Sequence, residues 1–135
     1  MSAIGLPNFS RIQVLNECTQ NLAANAVKVK FRRAKFDSVG ALSFEAEDTV
    51  YNFGSILADN VYAEGTDQDN GTDKYLAADV LVEVVFPLSS ADQVLVFLQI
   101  STDGGTTWPA DGEGILLVSV PSPGGVATVR RNLEM

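Results

Sequence analysis

The sequence has no histidine and a single cysteine, Cys18, among its 135 residues. Without histidine, the Ser-His-Asp and Cys-His nucleophile arrangements, the usual zinc sites and the commonest general base near neutral pH are excluded. A lone cysteine excludes an internal disulfide and fits a protein made in a reducing cytosol. We therefore expect a protein that is not an enzyme and that uses no cofactor.

Long hydrophobic runs are also missing. No apolar run approaches the roughly 20 residues that are needed to span a bilayer. The first residues, Met1 to Ala3, lack the basic and apolar regions of a secretory signal peptide. These absences predict a soluble protein with no export signal and no membrane partner.

Positive charge is scarce and unevenly placed. Nine lysines and arginines stand against 17 acidic residues, which gives a net charge of −8. This balance argues against a nucleic-acid partner, because lysine and arginine supply most of the affinity for phosphates. The cations cluster between Lys28 and Lys35, whereas acids crowd the stretch from Asp59 to Asp73. A basic stripe and an acidic loop favour docking between copies, or docking onto an acidic protein lattice.

Alternating hydrophobicity begins at Ala26 and indicates strands. Val27, Val29 and Phe31 alternate with Lys28, Lys30 and Arg32, which is typical of a strand with one buried and one solvated face. Further strands are predicted at 41–47, 49–53, 75–87, 93–101, 114–120 and 126–132, with turn residues between them. Arg130 and Arg131 extend the basic stripe if the last strand lies beside the first. We expect an all-β fold: a single β-sandwich, of jelly-roll or immunoglobulin-like arrangement, over residues 26–135.

Residues 1–25 have a different composition and are predicted to form an N-terminal arm. Ser10 has the position of a helix N-cap, so the arm contains either a short helix or an extended segment. We expect the arm and the basic stripe to contact the partner. The candidate partner-binding residues are Arg11, Ile12, Leu15, Lys28, Lys30 and Arg32.

The most specific local motif runs from Ser101 to Trp108. It resembles the Asp-box, a hairpin found in sialidases and in many other β proteins, and it matches that pattern at Ser101, Asp103, Gly105, Thr107 and Trp108. The resemblance implies structural roles: Asp103 accepts backbone N–H bonds, the glycines adopt positive φ, and Trp108 packs beneath the hairpin. A sugar-contacting tip with Trp108 as a stacking platform is the alternative.

The polar stretch 64–74 has a second, weaker pattern. Asp67, Asp69 and Asp73 have a spacing close to that of a calcium loop, in which several oxygen ligands surround a hard cation. The spacing is one residue short of the EF-hand pattern, and no glutamate follows at the bidentate position. A solvated, exposed loop without a metal is the favoured interpretation.

As a whole, the chain resembles small virion structural proteins of tailed phages, in which a polar arm, a compact β-sandwich and a hairpin like that of Ser101 to Trp108 recur. The resemblance implies a capsid decoration, or cement, protein that is made in the bacterial cytoplasm and resides in the virion. Its partners would be the major capsid protein or other virion proteins, and further copies of itself in a homo-oligomer. A neck, tail or fibre-attachment protein and a carbohydrate-binding module are the alternatives.

Overall fold

A computed structural model describes residues 7–71 and 75–133, which form ten antiparallel β-strands. Their bounds are β1 Phe9–Glu17, β2 Val27–Phe36, β3 Leu42–Phe44, β4 Asp48–Asn52, β5 Tyr62–Glu64, β6 Gln68–Asp69, β7 Ala77–Val85, β8 Gln93–Ile100, β9 Ile115–Pro121 and β10 Val126–Leu133. None of these residues lies in a helix, so none lies in a helix able to cross a membrane. The all-β prediction is confirmed.

The strands form two packed sheets, which confirms the predicted sandwich. The β1 sheet has the order β5-β1-β8-β9, with β6 also paired to β1, and the β2 sheet has the order β10-β7-β2-β3, with β4 also paired to β2. Alternate side chains of both sheets point inward, where their removal from water stabilises the fold. The core includes Ile12, Val14, Val29, Phe31, Val80, Val82, Val96 and Leu98.

The prediction of an arm or short helix over residues 1–25 is wrong for the segment Phe9–Glu17. This segment is β1, which pairs with β8 along its length and with β5 and β6 on its other side. Ile12 and Val14 point into the core, and Ile12 is only 1% exposed. Detaching this strand would open the β1 sheet in the middle, so it belongs to the domain. Residues 1–6 of the predicted arm lie outside the described residues.

The strands predicted from β2 onward agree with the structure, apart from their ends. The predicted stretch 75–87 contains β7, and 93–101 contains β8. The stretch 64–74, predicted as one exposed loop, includes the two-residue strand Gln68–Asp69, which pairs with the start of β1. Residues 72–74 of that stretch are not among the described residues.

Part of the outer face of the β1 sheet is covered by the long connection between β8 and β9, residues 101–114, which we call the clasp. Beneath it, Gln13 and Gln99 are fully buried although both point away from the core. The Gln13 amide donates to an Asp111 carboxylate oxygen at 2.8 Å and accepts from the Gly112 N–H at 3.2 Å. The Gln99 amide donates to the Pro109 carbonyl at 3.2 Å. The clasp therefore satisfies polar groups that it buries.

Candidate functional site

The predicted basic stripe lies on one exposed face of the β2 sheet. Lys28, Lys30 and Arg32 alternate along β2 with the buried Val29 and Phe31, so the three cations project from the outer surface. A strand with this period places every second side chain on the same face. The alternation that predicted the stripe is confirmed by the position of these side chains.

Strands β10, β7 and β2 together make this face net positive. Lys30 forms an ion pair with Glu83 at 3.5 Å, and Arg32 lies opposite Asp79 in the strand register. The face carries four cations against two acids: Lys28, Lys30, Arg32 and Arg130 against Asp79 and Glu83. We call this surface the basic face. Because the whole chain has a net charge of −8, the acidic surplus lies elsewhere on the molecule.

Arg130 and Arg131 take different places. The last strand lies beside β7, with β7 between it and β2, so the direct pairing of β10 with β2 that was the condition for extending the stripe does not form. Arg130 pairs in register with Leu81, which itself pairs with Lys30, and therefore lies on the basic face. Arg131 points to the opposite side, where its guanidinium donates to the Leu117 carbonyl at 2.5 Å. Only Arg130 extends the stripe.

The other three predicted partner-binding residues do not form a free surface. Ile12 is in the core, and Leu15 is 8% exposed on the outer side of β1. Arg11 donates to the Gln99 side chain at 2.7 Å and lies 3.9 Å from Glu64. The prediction that these residues contact a partner is wrong for Ile12 and Leu15, because both are covered by the protein itself. Arg11 also stacks on Trp108, so it is part of the contact between β1 and the clasp.

The Asp-box-like hairpin has the hydrogen bonds that the motif predicts. Asp103 accepts from the Thr107 N–H at 2.8 Å and from the Ser101 hydroxyl at 2.8 Å, while the Gly105 N–H donates to the Ser101 oxygen at 2.9 Å. Gly104 and Gly105 have φ of 74° and 92°, which glycine tolerates without strain. Hydrogen bonds from the Thr107 side chain and N–H, and then from Ser101, lower the pKa of Asp103 to about 2.

Trp108 stacks on Arg11, whose guanidinium carbon lies 4.4 Å from the centre of the indole ring. The packing of Trp108 beneath the hairpin stays a prediction. The ring that approaches the turn is Phe9, since a Cβ on Gly105 would lie 3.4 Å from it. One face of Trp108 is thus occupied by a cation of β1, an arrangement that holds the clasp on the sheet.

The described aspartates of the acidic stretch have different surroundings. Asp69 accepts from the Gly71 N–H at 2.8 Å, whereas Asp67 lies near the clasp, 3.4 Å from where a Cβ on Gly105 would be. Within residues 7–71 and 75–133, no group of three or more acidic or cysteine side chains could hold a metal ion. Asp73, the third candidate ligand, lies outside these residues.

An exposed apolar hairpin, formed by β2, β3 and the turn between them, is a feature that was not predicted as a functional site. Its side chains Phe36, Val39, Leu42 and Phe44 are 59%, 85%, 50% and 44% exposed. The turn is well defined, because the Asp37 carboxylate accepts from the N–H groups of Val39 and Ala41 at 2.9 and 3.0 Å. The sequence predicted the strand 41–47, but periodicity alone could not show that no element among the described residues covers it.

A polar cavity of about 200 Å³ lies at one end of the sandwich, between the start of β1 and the end of β2. This volume is below that of most small-molecule sites. Its cation, Arg33, donates to Asp48 at 3.1 Å and to Gln68 at 2.7 Å. These bonds join β2 to β4 and β6, so the group acts in holding this end of the sandwich together.

The fold and these surfaces define an all-β sandwich with a net-positive outer face and an apolar hairpin. No family model, no curated protein sequence and no solved structure matches this chain. The functional proposal therefore depends on the chemistry of the chain's own surfaces.

Proposed function

We propose that this protein is a non-enzymatic structural protein of a tailed-phage virion, and that it acts as a capsid decoration protein. The observation that carries the proposal is the basic face in a chain of net charge −8. A protein with one positive face and an acidic remainder can dock in a defined orientation on an acidic protein lattice and keep its negative surface toward solvent. The Asp-box-like hairpin, which recurs in phage structural proteins, adds analogy to this chemistry.

The docking surface differs from the one expected from the sequence. Because Phe9–Glu17 is a central strand, it is not available as an arm that reaches over the shell. The basic face takes this role, with Lys28, Lys30 and Arg32 on β2 and Arg130 two strands away. The major capsid protein of a mature shell is the proposed partner.

The proposed mechanism is stabilisation by mass action. A protein that binds the expanded, mature lattice better than the procapsid lattice lowers the free energy of the mature state by its difference in binding free energy. No chemical step is involved. Many weakly bound copies suffice, since each contributes separately to the stability of the shell.

Co-sedimentation with a panel of mature tailed-phage capsids and their procapsids tests this proposal. The test variant replaces Lys28, Lys30 and Arg32 by glutamine. If each exposed ion contact contributes about 0.5 kcal/mol, the variant should bind about tenfold more weakly to mature capsids. A matched control lowers the net charge by the same three units away from the basic face, through Ser55→Glu, Thr102→Glu and Ala110→Glu.

The outcomes separate the candidate functions. Decoration through the basic face is supported if the protein binds mature shells better than procapsids and if added salt weakens this binding. The glutamine variant should also bind more weakly, whereas the control should bind as the wild-type protein does. Failure to bind any shell in the panel overturns the proposal. A glycan array then tests the carbohydrate alternative, with Trp108→Ala as the variant that should abolish sugar binding.

A further inference from the structure

The strand β3 lies at an open edge of the β2 sheet. It is the last strand in the order β10-β7-β2-β3, and no strand in the described part of the chain pairs with its outer side. An open edge presents backbone N–H and C=O groups that can pair with another chain. The question is which groups this edge presents, and to what partner they are suited.

The hydrogen bonds between β2 and β3 show which residues face the open edge. The Asp37 N–H donates to the Ala41 carbonyl at 2.9 Å, and the Glu45 N–H donates to the Arg33 carbonyl at 2.8 Å. In an antiparallel pair, residues bonded to the neighbouring strand alternate with residues whose N–H and C=O point the other way. Residues 41, 43 and 45 are therefore the ones bonded to β2.

It follows that the N–H and C=O of Leu42 and Phe44 point toward the open edge. The side chains of these two residues share the outer face of the sheet with Phe36, because Leu42 pairs in register with Phe36 and Phe44 pairs with Ala34. All three apolar side chains are between 44% and 59% exposed. Open backbone groups and exposed apolar side chains thus coincide on one short strand, which natural edge strands usually avoid.

We propose that this edge binds β3 of a second copy, in antiparallel pairing about a two-fold axis at Ser43. In that register, Leu42 of each copy lies opposite Phe44 of the other, and four backbone hydrogen bonds join the two strands. The apolar pair on the outer face stabilises the contact. Glu45 lies opposite Ala41 of the other copy, so no two like charges face each other directly. The strand is thus complementary to itself.

The contact is small, and its size sets the expected strength. Two hairpins with four exposed apolar side chains each bury on the order of 800 Å² in total, below the roughly 1,200 Å² at which specific interfaces usually begin. We therefore expect a weak dimer that dissociates in the micromolar range.

Dimerisation in this register has a geometric consequence for the basic face. A two-fold axis that relates two antiparallel strands of one sheet is perpendicular to that sheet, so the outer faces of both β2 sheets point the same way. The dimer would present two copies of Lys28, Lys30 and Arg32 to one surface. This inference goes beyond the proposed function, and it is tested on the free protein, so that failure of one leaves the other standing.

Sedimentation velocity on the free protein is the first test. Leu42→Pro removes an N–H that points to the open edge and blocks pairing there, while the bonds between β2 and β3 lie on the alternate residues. We expect the wild-type protein to form dimers as its concentration rises through the micromolar range, and Leu42→Pro to weaken dimerisation at least about tenfold. The control Leu88→Ser removes a leucine that is 88% exposed outside the hairpin and should leave dimerisation unchanged. A wild-type protein that stays monomeric throughout this range overturns the inference.

Disulfide trapping tests the register independently of the proline variant. Residues directly opposite in a pair without mutual hydrogen bonds have Cα atoms about 4.5 Å apart, within the range that a disulfide can bridge. Ser43→Cys should therefore form a cross-linked dimer under mild oxidation, while the native Cys18 is buried and should not react. The control Val39→Cys places the thiol at the exposed tip, away from the two-fold axis. Equal or faster cross-linking of the control contradicts the proposed register.

Discussion

Replacing Ile12 by alanine tests whether Phe9–Glu17 is a core strand or a detachable arm. Ile12 is 1% exposed and packs in the centre of the sandwich, where truncation of isoleucine to alanine costs about 2–5 kcal/mol of unfolding free energy. A domain of this size has a total stability of roughly 7–20 kcal/mol, so the variant should still fold. At about 3 °C of melting temperature per kcal/mol, we expect a decrease of roughly 6–15 °C.

Urea unfolding followed by circular dichroism measures this change in free energy. The matched control is Leu88→Ala, because Leu88 is 88% exposed and its truncation should change stability by less than about 0.5 kcal/mol. If Ile12→Ala is as stable as the control, β1 does not belong to the core. The docking surface would then have to be sought again in the N-terminal segment.

Three further predictions concern single groups. Tyr51→Phe should leave the free energy of unfolding unchanged within about 0.5 kcal/mol or increase it. The reason is that the buried Tyr51 hydroxyl has no hydrogen-bond partner among the described atoms, and burial raises its pKa. A loss above about 1 kcal/mol in urea unfolding would reveal a partner. The Asp103 carboxyl should titrate near pH 2 in an NMR titration. Because the folded pKa of Asp103, about 2, lies below its ordinary value of 3.8, the contribution of this carboxyl to stability is present above about pH 4 and is lost as the pH falls toward 2. A titration midpoint at the ordinary value of 3.8 would show that the turn bonds are absent in solution. Arg11→Ala and Trp108→Ala should show a coupling of about 0.5–1 kcal/mol in a double-mutant cycle of unfolding free energies, whereas additive losses would contradict the stacking.

Strands with one apolar and one polar face were predictable from the sequence, but β1 was not. Its alternation is obscured because Gln13 and Asn16 are both fully buried. Gln13 bonds to the clasp, and the Asn16 amide donates to the Leu57 carbonyl at 3.0 Å, 41 residues away. From the sequence alone, a polar residue whose partner lies so far along the chain is expected to be solvated, and this expectation leads to the prediction of an arm.

The candidate surfaces were predictable to different degrees for the same reason. The stripe on β2 depends on local alternation, which the sequence contains, and so do the turn bonds of Asp103 within its own hairpin. The contact of Trp108 with Arg11 joins residues that are almost 100 positions apart, and it depends on the path of the clasp over the β1 sheet. The exposure of Phe44 likewise depends on where all the other described strands lie, which local sequence does not contain.

The measurement that tests the proposed function most directly is electron cryomicroscopy of mature tailed-phage capsids incubated with this protein. We predict ordered density on the outer shell, with Lys28, Lys30 and Arg32 turned toward acidic side chains of the capsid lattice and the clasp turned toward solvent. Density that contacts the shell through the clasp would contradict docking through the basic face. Bare shells, under conditions in which the protein is folded and in excess, would contradict the decoration function itself.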